Sequence, residues 1–424
     1  MIKQIYKRIV LSNGLRLILV PDSSKRVLTS MILFGVGSRS EAEKEAGISH
    51  VLEHMHYKGT KKRPSPLSIS EFIENIGGEH NAFTSKEYTG YYVKVAGKFL
   101  ENSLDFISDL VVNPLLPAKD LEQEKKVILQ EVDMYEDLPS EVAANNFEEA
   151  LFGKNALGRD VIGFKSTIKS VTKEDLVRYR QGFYTSGNAV LILAGNFADL
   201  TEDKVIKLIE KYFNLHKAET SEIPTIKLNN QKSFKIVNKP TEQSHLVIGF
   251  RGLPTNHPDR YKMRLLALIL GGSMSSRMFT EIREKRGLAY AVRTSTGNYR
   301  ETGSIETLAG VPHERVLETV EAIIAEYEKM KDGVTESELK RAKEIIYGRM
   351  LINMEDTNEV ASHFGMAELL SGKIQTLDEV AAIYEKITVS DIEKTAKRYL
   401  VPEGMALSYV GPNLKEEQLK QFNF

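Results

Sequence analysis

Apolar residues recur along the chain with two different periods, which predict both strands and helices. Short apolar runs at residues 15–20, 91–95 and 245–250 predict β-strands, whereas stretches such as 48–55 and 121–135 carry apolar residues at helical spacing. The predicted helices come in runs and do not alternate singly with strands. This order favours an α+β fold with antiparallel or mixed sheets packed against helices.

The helix predicted around residue 50 is apolar on one side. That side consists of residues at i, i+3, i+4 and i+7, namely Ile48, Val51, Leu52 and Met55. On a helical wheel His50, Glu53 and His54 cluster opposite them. Two imidazoles four residues apart can share one metal ion, and H-x-x-E-H is a metallopeptidase pattern. The alternative is a solvated polar face that happens to hold two histidines; His56 falls off this face and is interpreted as incidental.

A third metal ligand is needed, because catalytic zinc usually has three protein ligands and a water. The chain has no cysteine, so this ligand must be His, Asp or Glu. Glu124 and Glu131, seven residues apart, project into the apolar stripe of the helix predicted at 121–135. Carboxylates are almost never buried without a partner, which indicates a cation beside them. The alternative is an acidic pair at the edge of the stripe, bonded to Arg or Lys.

The chain contains an internal repeat of about half its length. One stretch repeats at an offset of 216, pairing Thr172, Asp175 and Gly195 with Thr388, Asp391 and Gly411. A second stretch repeats at an offset of 218, pairing residues 121, 128 and 141–143 with 339, 346 and 359–361. The alternative is a few chance identities. The repeat predicts two related domains, 1–218 and 233–424, joined by a polar linker at 219–232.

The two copies differ in their candidate metal ligands. At the offset of 218, Glu124 and Glu131 become Ala342 and Arg349, and the second half has no H-x-x-E-H. The first copy can therefore hold a metal ion and the second cannot.

Composition gives no support for several classes of partner. The formal net charge is −1, from 57 basic and 58 acidic residues, so charge gives no argument for nucleic acid or a membrane surface. No stretch approaches the roughly 18 apolar residues of a membrane span, and residues 1–8 do not resemble a signal peptide. The absence of cysteine excludes disulfides and fits a cytoplasmic protein.

With these motifs the chain resembles the pitrilysin/insulysin family of zinc metallopeptidases, which includes the mitochondrial processing peptidases. The resemblance runs over nearly the whole length. Residues 37–41 and 47–55 match the family signature, 81–84 its substrate-binding edge strand, and 124 and 131 its paired glutamates. One departure is Asn155-Ala156, where many members have His-Pro before Leu-Gly; the position is not a metal ligand.

The resemblance implies two related α/β-sandwich domains and one Zn²⁺ per chain, bound by His50, His54 and Glu131. It favours Glu131 over Glu124 as the ligand and leaves Glu124 as a supporting carboxylate. Glu53 lies beside the metal on the helical wheel and is predicted to be the general base.

The resemblance also implies how a substrate is held. Arg283 and Tyr290 match a pair that binds the substrate carbonyl; without the resemblance they would be a surface arginine and an ordinary half-buried tyrosine. Asn81 and Ala82 would hydrogen-bond an extended peptide. Half-length members form closed chambers from two chains, so we expect a homodimer, or a heterodimer with a related chain. The rival interpretations are a non-catalytic core subunit and a metal-binding regulatory protein.

Overall fold

The computed structural model describes residues 6–197, 200–218, 222–228, 231–420 and 422, so the predicted linker 219–232 lies partly outside the described residues. The strands are β1 (Lys7–Val10), β2 (Arg16–Pro21), β3 (Val27–Phe34), β4 (Glu79–Thr84), β5 (Thr89–Ala96), β6 (Ala189–Gly195), β7 (Ser233–Asn238), β8 (Ser244–Gly252), β9 (Ala291–Asn298), β10 (Gly303–Val311) and β11 (Met405–Gly411). The α-helices are α1 (Ile48–His56), α2 (Pro66–Glu74), α3 (Leu100–Val112), α4 (Ala118–Glu136), α5 (Pro139–Phe152), α6 (Lys165–Ser170), α7 (Lys173–Phe183), α8 (Glu202–Tyr212), α9 (Arg260–Gly271), α10 (Val316–Lys331), α11 (Glu336–Asn353), α12 (Thr357–Met366), α13 (Leu377–Glu385), α14 (Val389–Tyr399) and α15 (Glu416–Lys420).

These elements form two compact units, each built on one mixed sheet. Unit 1 comprises Met1–Val132, Asp160–Thr225 and Met350–Asp378, and its sheet has the order β1-β2-β6-β3-β5-β4. The β2–β6 pair is parallel and the other pairs are antiparallel. Every residue of β6 is buried, which explains its uninterrupted apolar sequence. Strand β4 lies at one edge of this sheet.

Unit 2 comprises Asp133–Arg159, Ile226–Arg349 and Glu379–Phe424, with strands in the order β7-β11-β8-β10-β9. Here β7 and β11 pair in parallel and the remaining pairs are antiparallel. The predicted α+β class, with two related domains and mixed sheets, is confirmed.

Each unit contains one helix from the opposite half of the sequence. Helix α5 packs on β7, β8 and β11 of unit 2 through Phe147 and Leu151, whereas α12 packs on β3 and β6 of unit 1 through Phe364. The two helices start 218 residues apart, so they are equivalent elements of the repeat. The predicted linker at residues 219–232 concerns where the two copies of the repeat meet in the sequence. The compact units are each built from three separate stretches of the chain, so they do not test that prediction.

The repeat is visible in matching local structure. Thr172 and Asp175 form a capping box at the start of α7, and Thr388 and Asp391 form the same box at the start of α14. Each helix leads to a fully buried strand, β6 or β11, of equal length and 216 residues apart.

Candidate metal centre

Helix α1 buries its apolar side and leaves its polar side accessible. The predicted apolar stripe, Ile48, Val51, Leu52 and Met55, has no exposed surface. The side chains of His50 and His54 keep 14% and 23% of their surface exposed. The pattern of the sequence thus fixes which way the two imidazoles face. His56 is fully buried elsewhere, with its Nδ1 at 2.7 Å from the Leu52 carbonyl oxygen.

Three predicted ligands converge beside α1. The Nε2 atoms of His50 and His54 lie 3.2 Å apart, and the Glu131 carboxylate oxygens lie 3.9 Å and 3.7 Å from them. Zinc bonds of about 2.0–2.1 Å at tetrahedral angles separate ligand atoms by about 3.3 Å, so these residues fit a zinc ion after a small adjustment of Glu131. In the described part of the chain, no other trio of His, Asp or Glu brings its ligand atoms together in this way.

A hydrogen-bonded chain behind His54 sets the orientation of its ring. The Nδ1 of His54 lies 2.8 Å from Glu124 Oε1, and Lys58 Nζ lies 2.5 Å from the other oxygen of Glu124. Because a carboxylate accepts, Nδ1 carries the proton and Nε2 presents its lone pair toward His50 and Glu131. Glu124 is only 6% exposed, and the bonds from His54 and Lys58 outweigh its burial and lower the pKa of its carboxyl group.

Burial also shapes the protonation of the other groups. Burial, together with the nearby His54, lowers the pKa of His50 to about 4, so His50 is neutral near pH 7. Burial raises the pKa of Glu53, while a hydrogen bond from the Thr84 hydroxyl to Glu53 Oε2 opposes that shift. Neutral imidazole is the form that binds a metal, and a carboxyl group with a raised pKa is suited to accept a proton.

The start of α1 is held by a carboxylate from outside the helix. Gly47 precedes the first turn with φ +92° and has no side chain to cap it, and a Cβ there would lie 2.4 Å from the Ile162 carbonyl oxygen. Glu41 supplies the cap instead, because its oxygens accept from the N–H groups of Gly47 at 2.7 Å and Ser49 at 2.9 Å. Glu41 is 3% exposed, so these bonds are shielded from water.

The predicted peptide-binding residues lie on edge strand β4. Asn81 and Ala82 pair with Tyr92 and Tyr91 of β5. The Ala82 N–H donates to Asn81 Oδ1 at 2.9 Å. A substrate carbonyl that accepts from this N–H has to replace the Asn81 oxygen.

Arg283 and Tyr290 lie together in unit 2. Arg283 belongs to a π-helical segment, Phe279–Lys285, and its guanidinium carbon lies 4.8 Å from the centre of the Tyr290 ring. Tyr290 precedes β9 and is 80% exposed. Both side chains line a cavity of about 550 Å³, so they are available to a ligand.

Three site contacts were not predicted from the sequence: Thr84 to Glu53, Lys58 to Glu124, and Glu41 to the start of α1. Glu41 and Thr84 stand inside the motif stretches 37–41 and 81–84, but a motif does not say which atoms meet. Thr84 lies 31 residues from Glu53, and no periodic pattern links a strand residue to a helix residue.

Comparison with known families agrees with this geometry. The family model described as "Insulinase (Peptidase family M16)" matches residues 16–165. The model described as "Peptidase M16 inactive domain" matches residues 170–346. The helix with the two histidines falls in the first match, and Arg283 and Tyr290 fall in the second.

The chain belongs to the insulinase family of peptidases, family M16. This confirms the resemblance stated from the motifs. A protein of Bacillus subtilis named uncharacterized zinc protease YmxG is 35% identical over 417 residues, covering 96% of this chain and 98% of that protein. An uncharacterized zinc protease of Streptomyces coelicolor is 33% identical, and the match covers 98% of this chain and 92% of that protein.

Solved structures show the same fold. A protease from Helicobacter pylori superposes with a TM-score of 0.89 at 24% identity, covering 96% of this chain and 100% of that one. In the described ranges, no helix is both long enough and apolar enough to cross a bilayer.

Proposed function

We propose that this protein is a zinc-dependent endopeptidase that hydrolyses peptide bonds in unfolded peptides enclosed in a chamber. The observation that carries the proposal is the convergence of His50 Nε2, His54 Nε2 and a Glu131 carboxylate, with ligand atoms within 4.8 Å of one another. The names of its relatives support the same chemistry.

Each residue of the site has a defined task in this proposal. His50, His54 and Glu131 hold one zinc ion, which when bound supplies Lewis-acid activation of a water molecule and of the scissile carbonyl. Glu53 accepts the proton of the attacking water and delivers it to the leaving amine nitrogen. Glu124 keeps His54 in the tautomer that leaves Nε2 free.

Substrate binding involves both units. Asn81 and Ala82 hydrogen-bond the peptide as an added strand on β4. Arg283 and Tyr290 donate to the substrate carbonyl oxygen, where negative charge develops. We propose that they do so for the site of a second chain, in a homodimer or in a heterodimer with a related chain. A cytoplasmic location agrees with the cysteine-free sequence.

Zinc analysis combined with peptide cleavage tests the proposal. Purified protein should contain one zinc per chain and cleave an unstructured fluorogenic peptide. Glu53→Gln should keep the zinc and lose about 10²- to 10⁴-fold in kcat. Glu131→Gln should lose most of the zinc. The matched control is Glu122→Gln on the same helix, whose side chain is 69% exposed and which should change neither quantity.

The outcomes separate the rival functions. Stoichiometric zinc without cleavage would identify a non-catalytic subunit or a metal-binding regulator. Full zinc retention in both His54→Ala and Glu131→Gln would refute the ligand assignment. An unchanged kcat in Glu53→Gln would refute its role as general base.

A further inference from the structure

We infer that Thr84 is a positioning residue for the reaction: its hydroxyl holds Glu53 in the orientation that accepts a proton, and it links edge strand β4 to the general base. The inference rests on the proposed function of Glu53. Thr84 is the last residue of β4, and its Oγ1 donates to Glu53 Oε2.

A single held oxygen is sufficient to orient a carboxylate. A glutamate side chain turns about three bonds, so an unheld carboxylate samples many orientations, and each ordered rotamer has an entropic cost. With Oε2 bonded to Thr84, Oε1 is directed by the planar geometry of the carboxylate. Threonine suits this task because its β-branched side chain restricts χ1, which fixes the hydroxyl more firmly than serine would.

The position of Thr84 is itself fixed by the turn that follows it. Ser85 N–H donates to the Tyr88 carbonyl oxygen at 2.8 Å, which closes the β4–β5 hairpin. Ser38 and Arg39 donate their N–H groups to the carbonyl oxygens of Ser85 at 3.1 Å and Lys86 at 2.9 Å. The end of β4 is therefore anchored on the segment that precedes α1.

A second contact ties the start of β4 to the end of α1. The His80 ring stacks on Tyr57 with centroids 5.5 Å apart and planes inclined by 17°. His80, Ala82 and Thr84 lie on one face of the strand, because side chains alternate along it. Strand and helix thus meet at His80 and at Thr84, and the two residues predicted to bind the substrate backbone, Asn81 and Ala82, lie between these contacts.

This arrangement connects substrate binding with chemistry. A peptide that pairs with Asn81 and Ala82 bonds to the strand that carries Thr84 two residues later. Loss of the Thr84 hydroxyl should leave the strand available for binding but release Glu53. The expected effect is on kcat and not on KM.

Thr84→Val is the test, because it removes the hydroxyl and keeps the shape. Thr84→Val should lower kcat about 10- to 100-fold, keep KM within about threefold and retain the zinc. Thr84→Ser should recover most of the loss. The control is Thr29→Val, which removes a buried hydroxyl of unit 1 that bonds Thr357 at 2.8 Å. Its kcat should stay near that of the wild type.

A double-variant cycle shows whether Thr84 acts through Glu53. Thr84→Val should have no further effect in a Glu53→Gln background, because the group that it positions is already absent. A kcat of Thr84→Val within twofold of the Thr29→Val control would overturn the inference. An equal loss of activity in both backgrounds would also overturn it.

Crystal structures of the wild type and Thr84→Val give a readout that needs no activity. The Glu53 carboxylate should be ordered in the wild type and displaced or disordered in the variant, and an unchanged Glu53 rotamer would refute the positioning role. If the wild type cleaves no peptide, the proposed function fails by itself, and this comparison still decides whether Thr84 positions Glu53.

Discussion

The first turn of α1 depends on one buried carboxylate, so Glu41→Gln should loosen the helix that carries both histidines. Glutamine keeps the size of the side chain but offers one acceptor oxygen where glutamate offers two. In wild type the two Glu41 oxygens accept hydrogen bonds from the N–H groups of Gly47 at 2.7 Å and Ser49 at 2.9 Å. In the variant the glutamine NH₂ group faces one of these buried N–H groups, and two donors cannot bond to each other.

The magnitude follows from what is lost. A hydrogen bond to a charged group contributes about 1.5–3 kcal/mol net, and a carboxylate at a helix N-terminus adds about 0.3–1 kcal/mol. With Glu41 only 3% exposed, water does not replace the lost acceptor. We expect the free energy of opening α1 to fall by about 2–4 kcal/mol.

Hydrogen exchange measured by mass spectrometry on peptides covering residues 47–56 reports this opening directly, in zinc-free protein so that metal binding adds nothing. The control is Glu45→Gln, whose partner Arg178 has a side chain 59% exposed, so water already screens the pair and exchange in α1 should hardly change. Equal exchange rates in the two variants would refute the capping argument.

Three further predictions concern the metal, pH and assembly. Glu124→Gln should raise the zinc dissociation constant about 10- to 100-fold, measured by competition with a chelator, and unchanged affinity would contradict its role behind His54. Burial raises the pKa of Glu306 to about 7 from its usual 4.5. Between those values the unfolded chain has released a proton that the folded protein keeps, so wild-type stability should fall as pH rises, by on the order of 2–3 kcal/mol relative to Glu306→Gln. Parallel urea-midpoint profiles of wild type and Glu306→Gln from pH 4.5 to 8 would contradict this. Mixing Glu53→Gln with Tyr290→Phe should partly restore cleavage if chains share sites; no recovery despite demonstrated subunit exchange and inactive parents would mean that each chain completes its own site.

Much of the fold was predictable because it follows local rules. The apolar spacing of α1 sets which side is buried, and the Thr172 and Thr388 capping boxes are written in four residues each. The pairing of Glu124 with Glu131 followed from one helix face. Such features depend on residues close together in sequence, where helix and strand geometry determine what meets.

The rest depended on tertiary contacts that periodicity does not encode. The apolar face of α5 does not indicate which of two similar sheets it covers. The exchange of α5 and α12, in which each helix packs on the sheet formed mainly by the other half of the sequence, could therefore not be predicted. The bond from Thr84 to Glu53 depends on how β4 approaches α1. The π-helical segment that holds Arg283 could not be predicted either, because its sequence carries no distinct signal.

The exchange of α5 has a consequence for synthesis on the ribosome. Phe147 and Leu151 pack with Ala406 and Val410 of β11, which is made about 250 residues later. At about 5–20 residues per second, β11 is made roughly 10–50 s after α5, and later than β7 and β8, which α5 also covers. The apolar face of α5 therefore stays incompletely covered in the nascent chain until β11 is made, and we expect chaperones that bind apolar segments at the ribosome to bind it.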